Sequence, residues 1–197
     1  MPRKSKLRTT LLMGICFVVA SAYLQVCAAQ DVVHAVDGTV KKVDKTAKTV
    51  AVDTADGTEH VFTYTAHTTV ETFDDGGKLV KKGAGESALG VKDGAHVVVH
   101  YTEKGADKTA VAVRDFGKAD AHFVKGTVVK MDKATRTLTL KGEDGVVKTY
   151  HVSKDATVDT EHGVVKATEY AGKEGEHVTV HYTKIGADDV VHFVKRI

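Results

Sequence analysis

The chain is poor in several residue types that mark whole classes of protein. It has no tryptophan, six tyrosines and six phenylalanines among 197 residues, which argues against aromatic platforms for stacking bases. Its one proline and its two cysteines, Cys16 and Cys27, all lie in an N-terminal leader. A chain without this leader has no thiol for a disulfide or a thiolate metal site. We therefore expect the fold to depend on its hydrophobic core alone.

A field of one charge sign is also lacking. The formal net charge is +2, and it becomes −2 once Arg3, Lys4, Lys6 and Arg8 are removed with the leader. Acidic and basic residues alternate along the rest of the chain. This pattern provides no basic surface for a phosphate backbone, so we expect no nucleic-acid partner.

The leader has the three parts of a secretory signal peptide. The basic segment MPRKSKLRTT precedes the apolar run LLMGICFVVASAYLQV, and small residues follow, with cleavage expected after Ala28 or Ala29. Residues 1–29 are thus predicted to be a signal peptide, which implies a periplasmic or secreted protein without a membrane span after cleavage. Two alternatives stay open: an uncleaved anchor, and a lipoprotein modified at Cys27, although Val26 is larger than the residue usual before such a cysteine.

What the chain does contain is an internal duplication. The segment from His34 to Thr72 matches the segment from His122 to Thr160, and KDGAHVVVHYTEKGAD from Lys92 matches KEGEHVTVHYTKIGAD from Lys173. Duplication at this length indicates two copies of one structural unit. We predict domains at residues 32–116 and 122–197, joined by a short linker, so that the two units touch.

The pattern within each copy predicts an all-β fold. Valine and threonine are abundant, as is typical of strands, and Asp56-Gly57 marks a hairpin turn. Each copy reads as five strands with a short helical connection between strands 3 and 4, near Glu86 to Val91 and Val164 to Gly172. This order favours a five-stranded, OB-like β-barrel, with an open sandwich as the alternative. The first strand is expected to bend at Gly38, where a glycine permits a bulge.

Alternation along the fourth strand predicts which residues are buried. Val97, Val99 and Tyr101 share one side, and the second copy repeats this with Val178, Val180 and Tyr182. The other side carries His96, Val98 and His100, then His177, Thr179 and His181. We expect that second side to face solvent, with the imidazoles on the outside.

These segments carry a family resemblance. GTVKKVDKTAKTVAV, DGTEHVFTY, KDGAHVVVHYT and their second copies resemble an exported bacterial family of small OB-like barrels, mostly of unknown function and distantly like the periplasmic metal chaperone CusF. The resemblance covers both repeats and implies the fold. The chaperone group holds Cu(I) with a histidine, a Met-x-Met pair and a stacked tryptophan. This chain has no tryptophan, and Met131 is its only methionine after the leader, so the ligand set does not carry over.

Eleven histidines are the main candidates for binding chemistry. The His-x-x-x-His spacing of His96/His100 and His177/His181 separates two imidazoles by about 13 Å on a strand, which is too far for one ion. A metal site would need neighbouring strands. His181 and His192 belong to the last hairpin, and His122 could join them. The sequence therefore offers His177, His181, His192 and His122 as ligands for Zn(II), Cu(II) or Ni(II), against the simpler interpretation that these are solvated or packing histidines.

No catalytic motif stands out. The acidic segment from Asp53 to Glu59 matches a hairpin turn better than a calcium loop, which needs about twelve residues. No Ser/His/Asp order, phosphate loop or nucleophile elbow emerges. We therefore predict a non-catalytic binding or structural module of the cell envelope without a cofactor, acting on an unknown envelope protein or small ligand; the alternative is a periplasmic Zn- or Cu-binding protein that uses surface histidines.

Calorimetry separates these two functions. If histidines bind metal, Zn(II) or Cu(II) added to the signal-free protein should release heat above the buffer value at sub-millimolar concentration. A titration without such heat would rule out the metal-binding alternative.

Overall fold

The computed structural model describes residues 32–74, 78–86, 89–118, 121–170 and 172–197, so the predicted signal peptide lies outside the described residues. Residues Asp31–Ile197 form one compact unit. The described residues form thirteen β-strands and contain no helix of the length and apolarity needed to cross a membrane.

The first repeat contains seven strands, of which five close a barrel. In chain order they are β1 (His34–Asp44), β2 (Thr49–Asp53), β3 (Glu59–Thr63), β4 (Thr69–Phe73), β5 (Leu79–Ala84), β6 (His96–Lys104) and β7 (Asp107–Asp115). The barrel runs β1-β2-β3-β7-β6 and returns to β1. Strands β3 and β7 close it through the parallel pair Thr63 and Thr109.

The second repeat closes in the same order. Its strands are β8 (Ala121–Asp132), β9 (Thr137–Gly142), β10 (Val147–Thr160), β11 (Gly163–Lys166), β12 (His177–Ile185) and β13 (Asp188–Arg196). The barrel runs β8-β9-β10-β13-β12 and returns to β8. The prediction of two five-stranded OB-like barrels is thus confirmed, and the open sandwich is excluded.

Each barrel is filled by the side of the strands that the alternation predicted. In the first core Val50, Val52, Val97 and Val99 are fully buried around Phe62. The second core repeats this arrangement with leucines at two of the positions. Burial of such side chains stabilises each barrel by roughly 1.5–3 kcal/mol per residue.

The turn after the first strand is built alike in both copies. The Asp44 carboxylate accepts the amide N–H groups of Thr46 and Ala47, at 3.0 and 2.9 Å. Asp132 accepts the corresponding two amides in the second copy. An aspartate that caps its own turn in this way replaces hydrogen bonds that the strand ladder no longer supplies.

The prediction of a short helix between strands 3 and 4 of each barrel is wrong. In the first repeat β4 and β5 form an antiparallel hairpin, and β4 runs parallel to β7. In the second repeat the end of β10 takes the place of β4, and β11 pairs with it. Of the predicted helix near Glu86 to Val91, residues 86 and 89–91 form no helix and 87 and 88 lie outside the described residues. The alternating Thr-Val-Glu-Thr-Phe and the β-branched Gly-Val-Val-Lys explain why strands form here.

The expected solvent face of the fourth barrel strand is wrong for β6 of the first copy, whereas His177 on β12 of the second copy is exposed as expected. Val98 is only 1% exposed, and it packs with Ala35, Phe73 and Phe116 of the first barrel against Phe193 of the second. The face is covered because the two barrels dock on it. Alternation identifies the residues that share a face but does not show whether another domain covers that face.

Gly38 has a role different from the predicted bend. The bulge in β1 falls later, between Val40 and Lys42, and the second copy has it between Val128 and Lys130. A Cβ at Gly38 would lie 2.4 Å from the Asp53 carbonyl oxygen, and a Cβ at Gly126 would lie 2.4 Å from that of Lys141. Both glycines therefore allow the first and second strands to approach closely.

Substituting Gly126 with alanine should lower the free energy of unfolding by about 1–3 kcal/mol, because backbone must move to admit the methyl group. Chemical denaturation measures this. The matched control is Lys125→Ala at the exposed neighbouring position, which should change stability by less than about 0.5 kcal/mol. Equal effects of the two variants would contradict the close-approach explanation.

Candidate functional site between the barrels

The interface between the barrels collects His192 and three of the four histidines that the sequence predicted on the outer face, while His177 is exposed as predicted. His96 and His100 reach it from β6, His181 from β12 and His192 from β13. His181 is 6% exposed and His192 is 4% exposed. The interface therefore combines an apolar centre with titratable groups around it.

Aromatic rings form that apolar centre. The Phe116 ring lies 4.8 Å from that of Phe73 and 4.7 Å from that of His192, measured between centroids. Phe193 is fully buried and packs 5.6 Å from the His181 ring. Ring pairs at these separations contribute beyond their buried area, so they help to hold the barrels together.

Arg114 is the one charged side chain fully enclosed on this face of β7. It is 3% exposed, and its guanidinium donates to the Asp155 carbonyl oxygen of the second barrel at 2.5 Å. Its Nε lies 3.5 Å from the Glu71 carboxylate, and its guanidinium carbon is 4.7 Å from the Phe73 ring centroid. A buried charge is tolerated only when it is paired in this way.

A second polar contact joins the barrels on the other side. The Nδ1 atom of His181 lies 2.5 Å from an Asp37 carboxylate oxygen. If Nδ1 carries the proton, the other ring nitrogen of the neutral imidazole is a hydrogen-bond acceptor. The carboxylate thus fixes the orientation of the ring.

Three of the interface histidines are held neutral. Burial lowers the pKa of His96, His100 and His192 to about 4 each. The positive charge of Arg114 contributes to the lowered pKa of His100 and His192. Protonation of these rings would therefore place new positive charge in the interface.

A cleft opens between the barrels beside His181. Two adjoining cavities, each of about 330 Å³, share the lining residues Asp37, Thr54, Ala55, Phe123 and His181. We call them together the His181 cleft. Phe123 is 52% exposed although it is a large aromatic residue. Pockets of this size, mostly apolar with a few polar groups, are typical of ligand sites.

Charged groups surround the mouth of the His181 cleft. Lys125 and Lys195 line it, and neither forms an ion pair within the described part of the chain. Asp56 also lines it, but its carboxylate accepts hydrogen bonds from Thr54 and from the Thr58 amide, and these lower its pKa to about 2. Asp56 is thus ionised near neutral pH, and these three side chains together carry an excess of one positive charge.

The structure places the four predicted metal ligands in different surroundings. His181 and His122 line the same cleft, and the His122 ring stacks on that of Tyr182 at 5.3 Å. The Nε2 atom of His192 lies 2.8 Å from the Thr183 hydroxyl. His177 is exposed and lies 3.3 Å from the Thr127 hydroxyl.

Strand order explains this distribution. The last strand, β13, lies between β12 and β10, so the first strand of the repeat, β8, does not adjoin it. Across the described residues, no three His, Cys, Asp or Glu side chains form a group that could hold a metal ion. Metal binding by these histidines thus stays a prediction.

Sequence reasoning missed Asp37, Arg114 and Phe123. Asp37 and Phe123 stand where the repeat partner differs in charge or size, since they match Lys125 and Ala35, whereas Arg114 matches another cation, Lys195. A position at which two otherwise similar copies differ in charge or size is the signal that could have identified Asp37 and Phe123.

Comparisons with known proteins give no family. No family model matches the chain, and no curated protein matches it. Among solved structures, silver-bound CusF from Escherichia coli is similar, with 10% sequence identity and a TM-score of 0.32. The match covers 40% of this chain and 94% of the CusF chain. A Cu(II) form of a tryptophan-to-alanine variant of CusF matches with 11% identity, 39% and 91% coverage and a TM-score of 0.31.

Acid should lower the free energy of unfolding, because the buried imidazoles have a lower pKa in the folded chain than in the unfolded chain. A histidine whose pKa falls from 6.5 to about 4 contributes full stability above pH 6.5 and loses it as the pH falls toward 4. For His192 alone the loss is about 2–3 kcal/mol. Burial raises the pKa of Asp115 and Asp159, and these acids act in the opposite sense.

Comparing variants isolates the imidazole from these acids. Denaturation at pH 7.5 and pH 4.5 should show a smaller loss of stability in His192→Gln than in the parent chain. The control, His162→Gln, alters an exposed ring and should keep the parent's loss. If His192→Gln loses as much stability between pH 7.5 and pH 4.5 as the control does, protonation of His192 is not the cause of the loss.

Proposed function

We propose that this chain is an exported, non-catalytic binding module whose ligand lies in the His181 cleft. The observation that supports this most is the cleft itself, which is formed by both barrels and contains an exposed phenylalanine beside a buried histidine. The signal-peptide pattern supports export to the cell envelope.

The chemistry of the lining indicates the class of ligand. Phe123 offers an aromatic surface that gains from covering by an apolar group. Lys125 and Lys195 offer two ammonium groups that no acidic side chain of the described residues pairs with. We propose a ligand that carries both an apolar part and a carboxylate, such as a fatty acid or the end of a hydrophobic peptide.

The Asp37–His181 pair would orient such a ligand rather than react with it. The carboxylate holds the imidazole in place, and among the described residues the ring has no hydroxyl at hydrogen-bond distance. A nucleophile activated by histidine requires such a contact. The proposed role of His181 is therefore to accept a hydrogen bond.

Metal binding is the second candidate. Asp37 and His181 supply a carboxylate oxygen and an imidazole nitrogen in direct contact, and His122 lines the same cleft. Structural Zn(II) sites take four ligands; these three groups do not converge within the described residues, so this candidate requires His122 to move and water to complete the site. This version of the hypothesis uses His181 and His122 of the four predicted histidines.

Nuclear magnetic resonance with octanoate and N-acetylphenylalanine tests the first candidate. Both probes should shift the amide signals of Thr54, Ala55 and Phe123. Phe123→Ala and Lys195→Ala should each weaken binding at least about fivefold, because one loses the apolar contact and the other the charge.

Two variants provide the controls. Val147→Ala removes a side chain that is 57% exposed elsewhere on the second barrel, and Lys184→Ala removes an exposed lysine; neither should change the affinity. Shifts spread evenly over both barrels would contradict a carboxylate site in the cleft. Zn(II) binding that is lost in His181→Gln, without octanoate binding, would favour the metal-binding candidate.

A further inference from the structure

A second cavity opens on the other side of the interface and is unlike the first. It measures about 440 Å³ and is lined by β4, β5, β6 and β7 of the first repeat and by β10 and β11 of the second. We call it the Arg114 cleft, after the buried arginine in its lining. Its other charged lining residues are Lys82, Lys154, Lys166, Glu71 and Asp155.

Positive charge exceeds negative charge in this cleft. Glu71 is shared by two cations, since it lies 2.8 Å from the Lys82 ammonium and 3.5 Å from Arg114. Lys154 and Lys166 form no ion pair with any described residue. Four cationic side chains thus face two carboxylates, which leaves a formal excess of two positive charges.

The two repeats contribute these cations from separate strands. Lys82 lies on β5 of the first repeat, while Lys154 and Lys166 lie on β10 and β11 of the second. A ligand bound here would touch both barrels at once.

Two further titratable groups, His100 and Asp155, line the Arg114 cleft. His100 lines the cleft, and its pKa is lowered to about 4 by burial and by Arg114. The Asp155 Oδ2 atom is buried and has no hydrogen-bond partner among the described residues. A donor that completes this oxygen, such as a bound water or a protonated oxyanion, would satisfy it.

We propose that the Arg114 cleft binds a multivalent oxyanion, of the phosphate or polycarboxylate class, between Lys82, Lys154 and Lys166. A compact anion with several oxygens can accept hydrogen bonds from three ammonium groups at once, and each charge-assisted bond is stronger than a neutral one. Because its contacts come from both barrels, the anion stabilises their docking.

Calorimetry with inorganic phosphate, pyrophosphate and citrate at constant ionic strength tests the proposal. The protein used is the chain from Gln30 onward, which contains the compact unit Asp31–Ile197. At least one probe should bind and raise the melting temperature. Which one binds tightest distinguishes a phosphate from a polycarboxylate ligand.

The double variant Lys154→Ala/Lys166→Ala should weaken binding of that probe at least tenfold. The matched control, Lys45→Ala/Lys184→Ala, removes the same charge from exposed positions outside the cleft and should keep the parent affinity. Both variants alter exposed lysines, so their folding can be checked by the same melting curves.

Three results would overturn the proposal: no probe binding above the ionic-strength control, equal weakening in both double variants, or binding unaffected in Lys154→Ala/Lys166→Ala. The second result would mean that net charge alone attracts the anion. None of them bears on the His181 cleft, whose probes and variants are separate.

Discussion

Docking of the two barrels on the outer face of β6 is the constraint on which the rest of the structure depends. It buries Val98 and the phenylalanines, but it also removes water from an arginine and three imidazoles. The imidazoles meet this cost by staying neutral. Arg114 cannot become neutral, so it needs the Asp155 carbonyl, Glu71 and the Phe73 ring to replace its water. Removing any one of these partners would leave a buried charge poorly satisfied.

The duplication explains how such an interface could arise, and divergence explains its asymmetry. Both copies contribute their last barrel hairpin to the interface, through Val98 and Arg114 in the first and through His181 and Phe193 in the second. Corresponding positions now differ, because Asp37 matches Lys125 and Arg114 matches Lys195. The first barrel contributes the buried carboxylate and the buried guanidinium, and the second contributes exposed lysines. The two clefts at the edges of the interface have acquired different chemistry for this reason.

The sequence predicted the fold better than the site. Alternating valines and paired turns are local patterns, and they predicted the five barrel strands and the turns at Asp44 and Gly57. The sequence predicts a helix between strands 3 and 4 because the glycines and lysines that follow Phe73 interrupt the alternation, so the strand that pairs with Thr69 to Phe73 is not recognisable. The sequence predicts that the outer face of β6, with His96 and His100, is exposed. A period of two residues separates the two faces of a strand, but it does not indicate that a second domain packs on one of them. Only comparison of the two copies, position by position, carries information about the interface.

Both clefts are bounded by the same pair of barrels, and this links them energetically. A ligand that contacts both barrels stabilises the docked arrangement, so it also stabilises the walls of the other cleft, and the effect is reciprocal. Protonation of His96, His100 and His192 works against docking, because it adds positive charge to a buried interface that already holds Arg114. Acid should thus loosen the walls of both clefts together. Binding and acidity act on one shared element, the docked interface, and not on either barrel core, whose valines and aromatics carry no titratable charge in this range.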